Sequence, residues 1–92
     1  MKTITSNKIE KYRKLTSTAL NIAKNSIIKR KEKEAKEVIE MVSNYLSDSE
    51  YFEKNNDFVN AFAALNYAHG WLDAGARLGI FDVSDGNFFT IR

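Results

Sequence analysis

Apolar residues recur every three to four positions along most of the chain, and three separate runs with this period predict three helices. The run over residues 58–80, FVNAFAALNYAHGWLDAGARLGI, is the longest nearly uncharged stretch and holds the helical period throughout. With successive residues about 100° apart, Phe58, Ala61, Phe62, Leu65, Ala68, His69, Leu72 and Ala76 fall on one arc, the expected buried side of a central helix. Asn60, Ala64, Tyr67, Trp71 and Leu78 form a second, largely apolar strip opposite, and polar residues are left to an edge with Asn66, Asp73 and Arg77. A helix apolar on two sides needs two neighbours.

The other runs supply them. Thr5 or Ser6 is placed to cap a first helix, about residues 6–26, whose apolar positions are Ile9, Tyr12, Leu15, Ala19, Ile22 or Ala23, and Ile27. Its Thr16, Ser17, Thr18 and Ser26 are poor helix formers, so tertiary packing has to hold it. A second helix is predicted over about 31–54, with Ala35, Val38, Ile39, Val42, Tyr45, Leu46 and Phe52 along one side and Lys33 and Glu37 able to pair one turn apart. Asn55-Asn56-Asp57 then makes a turn, because Asn tolerates the left-handed conformation and Asp57 can cap the helix that follows, over about 57–79. Gly79 suits the left-handed residue that ends it. The expected fold is all-α, a single domain over 1–92: an up-and-down three-helix bundle, the second and third helices forming an antiparallel hairpin and the first lying across it. In the extended tail, 80–92, Asp85-Gly86 is a turn signal flanked by Phe81, Val83, Phe88, Phe89 and Ile91, so the tail is expected to fold back onto the bundle and to cover Tyr67 and Trp71.

Composition narrows the classes. At 43% hydrophobic and 28% charged residues the chain is an ordinary globular one. The absence of proline permits long helices, and the absence of cysteine excludes disulfides, thiolate nucleophiles and cysteine-held zinc. The beginning, MKTITSNKIEKYRK, lacks the apolar segment of a secretory signal and no stretch reaches the length of a membrane span, so a cytoplasmic location and no membrane partner are expected. The net charge of +2 hides a division: Met1 to Lys36 holds eleven basic residues against three acidic ones, +8, and the remainder three against nine, −6. Packing of a basic first helix against acidic later ones accounts for part of this division.

The segment YAHGWLDAGARLGIFDV, with its Gly70-Trp71-Leu72-Asp73-Ala74-Gly75 followed by Arg77, Leu78 and Gly79, and preceded by MVSNYLSDSEYFEKNNDFVNAFAALN, resembles an archaeal family catalogued as domain of unknown function 357. The resemblance covers about Met41 to Val83 and is weak over the first helix. It implies a small up-and-down three-helix bundle and carries no activity. Two positions depart from the family pattern, Asn56 where a Gly is expected and Ser49 where an Ala is expected.

Chemistry-bearing residues are few. His69 and Asp73 lie one helical turn apart and could share a proton or hold a metal with carboxylates from Asp48, Glu50 or Glu53, although a lone His on an apolar face is ordinarily a core residue satisfied by one hydrogen bond. Asp73 and Arg77 read first as a helical ion pair. No nucleophile with a base, phosphate-binding glycine loop or spaced acid pair is present, so no catalytic, cofactor-binding or metal-binding residue is assigned and no cofactor is expected. Tyr67, Trp71 and Leu78 form the candidate interface, with small residues Ala63, Gly70 and Ala74 beside them. The chain therefore reads as an interaction or self-association module, with a protein partner or a second copy of the chain expected. The alternative is nucleic-acid binding through Lys29, Arg30, Lys31, Lys33 and Lys36, a run interrupted by Glu32 and Glu34. An enzyme using His69 and Asp73 ranks below both.

Overall fold

A computed structural model of the chain describes residues 3–83 and 86–89. It contains three helices, α1 (Ser6–Lys24), α2 (Glu32–Lys54) and α3 (Phe58–Arg77), packed as an all-α up-and-down bundle. The α2–α3 hairpin is the most extensive pairing, and α1 packs on both of its members.

The helix ends follow from local chemistry. The Thr5 hydroxyl accepts the Lys8 N–H at 3.1 Å and so starts α1. At the end of α2 the Asp57 N–H reaches the Phe52 carbonyl at 2.8 Å and the Asn56 N–H reaches Glu53 at 3.0 Å, with Asn56 left-handed at φ 59°. Asn56 thus adopts the left-handed conformation that glycine most readily takes, and Asp57 caps α3 by accepting the Asn60 N–H at 3.2 Å. The same closure ends α3: Gly79 has φ 75°, its N–H meets the Ala76 carbonyl at 3.3 Å and the Ile80 N–H meets Gly75 at 2.9 Å. The start of α2 has no side-chain cap. The turn before it holds Arg30 at φ 78°, with the Arg30 N–H donating to both carboxylate oxygens of Glu32 at 3.2 and 3.0 Å.

Two apolar clusters fill the bundle. The larger joins Ala19, Leu20 and Ala23 of α1 and Ala35, Val38 and Val42 of α2 to Ala68 and Leu72 of α3, with Ile80, Phe81 and Phe89 closing it. The smaller, at the opposite end, is Ile9, Ala61 and Leu65 with Phe52 and Phe58 against them. The buried arc of α1 differs from the one its apolar spacing predicts. It runs Ile9, Thr16, Ala19, Leu20 and Ala23, while Tyr12 stays 36% exposed and Leu15 half-buried. The reason is polar: Arg13 and Thr16 are drawn inward by partners on the other helices.

The tail also departs from expectation. Phe81 forms an isolated antiparallel bridge with Ile27, flanked by the Ile28 N–H on the Ile80 carbonyl at 3.0 Å and the Asp82 N–H on the Ser26 carbonyl at 2.7 Å. The exits of α1 and α3 are thus tied together. Asp85 and Ile91 of the expected hairpin lie outside the described residues. The tail does reach the core, through Phe81 and Phe89, but it leaves Tyr67 and Trp71 uncovered, because Phe88 lies beside Lys11, Tyr12 and Leu15 of α1.

The seat of Phe81 is Gly75. A Cβ at that position would stand 2.5 Å from Phe81 Cε2 and 2.7 Å from Cδ2. Gly75→Ala gains about 1 kcal/mol of helix propensity but forces a buried ring to move, and we expect a net loss on the order of 1–3 kcal/mol in urea unfolding. Arg30→Gly, which relieves a left-handed non-glycine residue, should be neutral or stabilising by up to about 1 kcal/mol in the same assay.

Candidate functional site

Polar side chains are set into the bundle beside the two apolar clusters, which meet at Leu46. Along α1 the inward positions run Ile9, Arg13, Thr16, Leu20, Ala23, so that an arginine and a threonine occupy the helical period of the core. Arg13 reaches α2: its Nη1 lies 2.6 Å from Glu53 Oε1 and its Nε donates to Ser49 Oγ at 3.1 Å. Ser49, fully buried, donates its own hydroxyl to the Leu46 carbonyl at 2.7 Å, and Ser6 Oγ donates to the second Glu53 oxygen at 2.8 Å. Arg13 Nη2 is buried without a hydrogen-bond partner among the described residues. The serine at position 49 is therefore more than small: it supplies the acceptor for a guanidinium that an alanine would leave short of one.

On the α3 side Thr16 Oγ1 lies 3.4 Å from His69 Nδ1, and His69 Nε2 faces Asp73 Oδ1 at 3.8 Å. Each ring nitrogen of His69 thus has a neighbour, and both its side chain and that of Asp73 are about one-quarter exposed. The carboxylates considered as further partners stand apart from this pair: Asp48 and Glu50 are exposed and Glu53 belongs to Arg13. Among the described residues no group of three His, Asp or Glu side chains is gathered to hold a metal ion. Asp73 approaches His69, and Arg77 is exposed. The arrangement ties α1 to its two neighbours by directional bonds across the middle of the bundle.

Sequence reasoning named His69 and Asp73 but missed Arg13, Thr16 and Ser49. The usable signal was the appearance of Arg13 and Thr16 on the same helical period as Ile9, Leu20 and Ala23. Their partners are 36 and 53 residues away in the chain, which no local pattern discloses.

The outward face of α3 is the second candidate site. Tyr67 is 62% exposed, Trp71 39% and Leu78 72%. Tyr67 stacks on Tyr45 of α2 with ring centroids 5.6 Å apart. Beside the aromatics runs an open, apolar groove lined by Asn66, Tyr67, Gly70, Trp71 and Ala74. Apart from its chain neighbours and the nearby backbone of its own helix, nothing lies within 4 Å of where a Cβ at Gly70 would stand, so the groove floor is unobstructed.

The basic run occupies the α1–α2 turn and the first turns of α2. Lys29, Arg30, Lys33 and Lys36 are exposed and Lys31 half-buried, but Glu32 folds onto the Arg30 backbone and Glu34 lies 3.9 Å from Lys31. The ion pair found in this turn among the described residues is Lys31–Glu34 rather than the expected Lys33–Glu37. Acidic side chains are thus interleaved in space as they are in sequence. Between the basic and acidic halves of the chain, the ion pair among the described residues is Arg13–Glu53, so most of the charge division stays on the surface.

None of the helices, among the described residues, is long and apolar enough to cross a membrane. A family model described as a protein of unknown function (DUF357) matches residues 11–81. That match takes in α1 from Lys11, the part where the resemblance read from sequence is weakest. No curated protein and no solved structure matches the chain.

The Arg13 guanidinium, with the Ser6 hydroxyl also bonded to the carboxylate, holds the Glu53 carboxyl below its ordinary value of about 4.5, against the opposing effect of burial. A carboxyl depressed on folding stabilises the native state above its unfolded value, and that stability is lost as the pH falls through the folded value. Urea titrations should therefore show wild-type stability falling below about pH 4.5, and Glu53→Gln should flatten that fall. At neutral pH Glu53→Gln should cost on the order of 1–2 kcal/mol, a modest figure because the pair keeps about one-fifth of its surface in water.

Proposed function

The chain belongs to the DUF357 family, whose description carries no activity, and we propose from its surface that it is a protein-interaction module that self-associates through the outward face of α3. The observation that carries this reading is the exposure of Tyr67, Trp71 and Leu78 beside the Gly70 and Ala74 groove. Burying two large aromatics and a leucine is favourable by area alone, and Tyr and Trp are the side chains that most often anchor protein interfaces. Gly70 and Ala74 add close approach: an antiparallel copy of α3 can lay its own Trp71 over the groove while receiving the other in return. Such a two-fold contact uses one patch twice and closes at the dimer.

The polar network has a supporting role in this reading. It fixes the register of α1, α2 and α3 and keeps the outward face of α3 on a rigid scaffold. Sedimentation equilibrium of the intact chain is the test. Self-association is expected, and Trp71→Ala should weaken it by about tenfold or more while leaving the helical circular-dichroism signal unchanged. A protein that stays monomeric at high micromolar concentration, or a dimer indifferent to Tyr67→Ala and Trp71→Ala, defeats the proposal.

A further inference from the structure

A second surface stands apart from the α3 face. Lys8, Lys11 and Lys14 are all exposed on α1, three residues apart, and Glu10 is the lone acidic residue between Ser6 and Lys24. Arg13, the neighbouring cation, is turned inward to Glu53 and takes no part in this surface. The returning tail places Phe88 alongside α1, leaving an open groove of about 530 Å³ lined by Lys11, Tyr12, Lys14, Leu15, Thr18 and Phe88. Leu15 and Phe88 are half-buried, and the Tyr12 ring is held edge-on to Phe62 with centroids 5.3 Å apart. The result is an apolar trough with lysines at its rim, made partly by a helix and partly by the tail.

We propose that this groove docks an acidic amphipathic helix of a partner protein. Apolar lining asks for apolar side chains on the ligand, and Lys11 and Lys14 ask for carboxylates flanking them. From Lys11 to Thr18 the groove spans two turns of α1, about 10 Å at 1.5 Å per residue, which matches a partner helix carrying apolar residues at i, i+3, i+4 and i+7. Among the described residues the ion pair from α1 to the acidic half is Arg13–Glu53, while Lys8 lies over the Phe62 ring at 5.0 Å and Lys11 and Lys14 are exposed at the groove rim. Single-stranded nucleic acid fits this surface less well, because it stacks successive bases on several open aromatic faces, and Phe88, the second ring of the groove, is half-buried. A lipid surface needs a flat apolar helix face, and here the apolar surface is recessed between α1 and Phe88.

The test is fluorescence anisotropy with the intact chain and a short labelled peptide bearing leucines at i, i+3, i+4 and i+7 and glutamates elsewhere. Saturable binding is expected. The double variant Lys11→Glu and Lys14→Glu should weaken it about tenfold, with circular dichroism reporting that the variant remains folded. Trp71→Ala, which disrupts the α3 face, should leave the peptide affinity unchanged, so the two surfaces succeed or fail separately. Phe88→Ala should weaken binding without altering the charge. The proposal is overturned if the peptide fails to bind, if a glutamine-for-glutamate peptide binds equally well, or if the lysine variant binds as tightly as wild type. It is equally overturned if oligouridylate RNA or phosphatidylserine vesicles engage the lysines while the peptide does not.

Discussion

The close approach that α3 allows on its inner side governs this structure. Ala61, Ala64, Ala68 and Gly75 are buried there, with Leu65 and Leu72 as the large inward side chains. Small side chains bring neighbouring backbones together, and at Gly75 the approach is so close that the Phe81 ring occupies the space a Cβ would need. That seat brings the chain leaving α3 back against the chain leaving α1, where Ile27 and Phe81 pair. The same economy of inward volume has an outward consequence: Tyr67 and Trp71 do not share the face that carries the alanines, and both keep part of their surface in solvent.

Six of the fifteen buried apolar residues described are alanines, which give limited apolar area per residue and little to define the rotation of α1 about its own axis. The polar network supplies that definition. A guanidinium fits a carboxylate and a hydroxyl in one orientation, whereas alanine and leucine accept many. Arg13, Thr16, Ser49, Glu53 and His69 therefore set which side of α1 faces inward, and by doing so they place Lys11, Lys14 and Leu15 on the outer side. The inner network and the outer groove are two sides of one helix orientation.

The outer surface divides by chemistry. The α3 face is aromatic and uncharged and suits a like surface. The α1 groove is apolar at its floor and cationic at its rim and suits an acidic partner. Neither overlaps the other, and neither uses the His69–Asp73 pair, which bridges toward Thr16 within the bundle.

Helix content, helix order and the turn between α2 and α3 were decided by the sequence alone, because each rests on residues close together in the chain. The three-to-four-residue period marks the helices, Asn56 and Gly79 mark the left-handed ends, and Asp57 caps the helix that follows it. The inward face of α1 was only partly legible: apolar spacing pointed to Tyr12 and Leu15, yet tertiary partners drew in Arg13 and Thr16 instead. Which aromatics would be covered was likewise a tertiary decision. Phe81 fits over Gly75 and Phe89 fits the large cluster, so the tail spends its apolar side chains there and beside α1, leaving Trp71 partly exposed. Local conformational preference operates over a few residues and can be read along the chain. The choice among competing burial sites depends on shapes and hydrogen-bonding groups that meet only when distant segments come together.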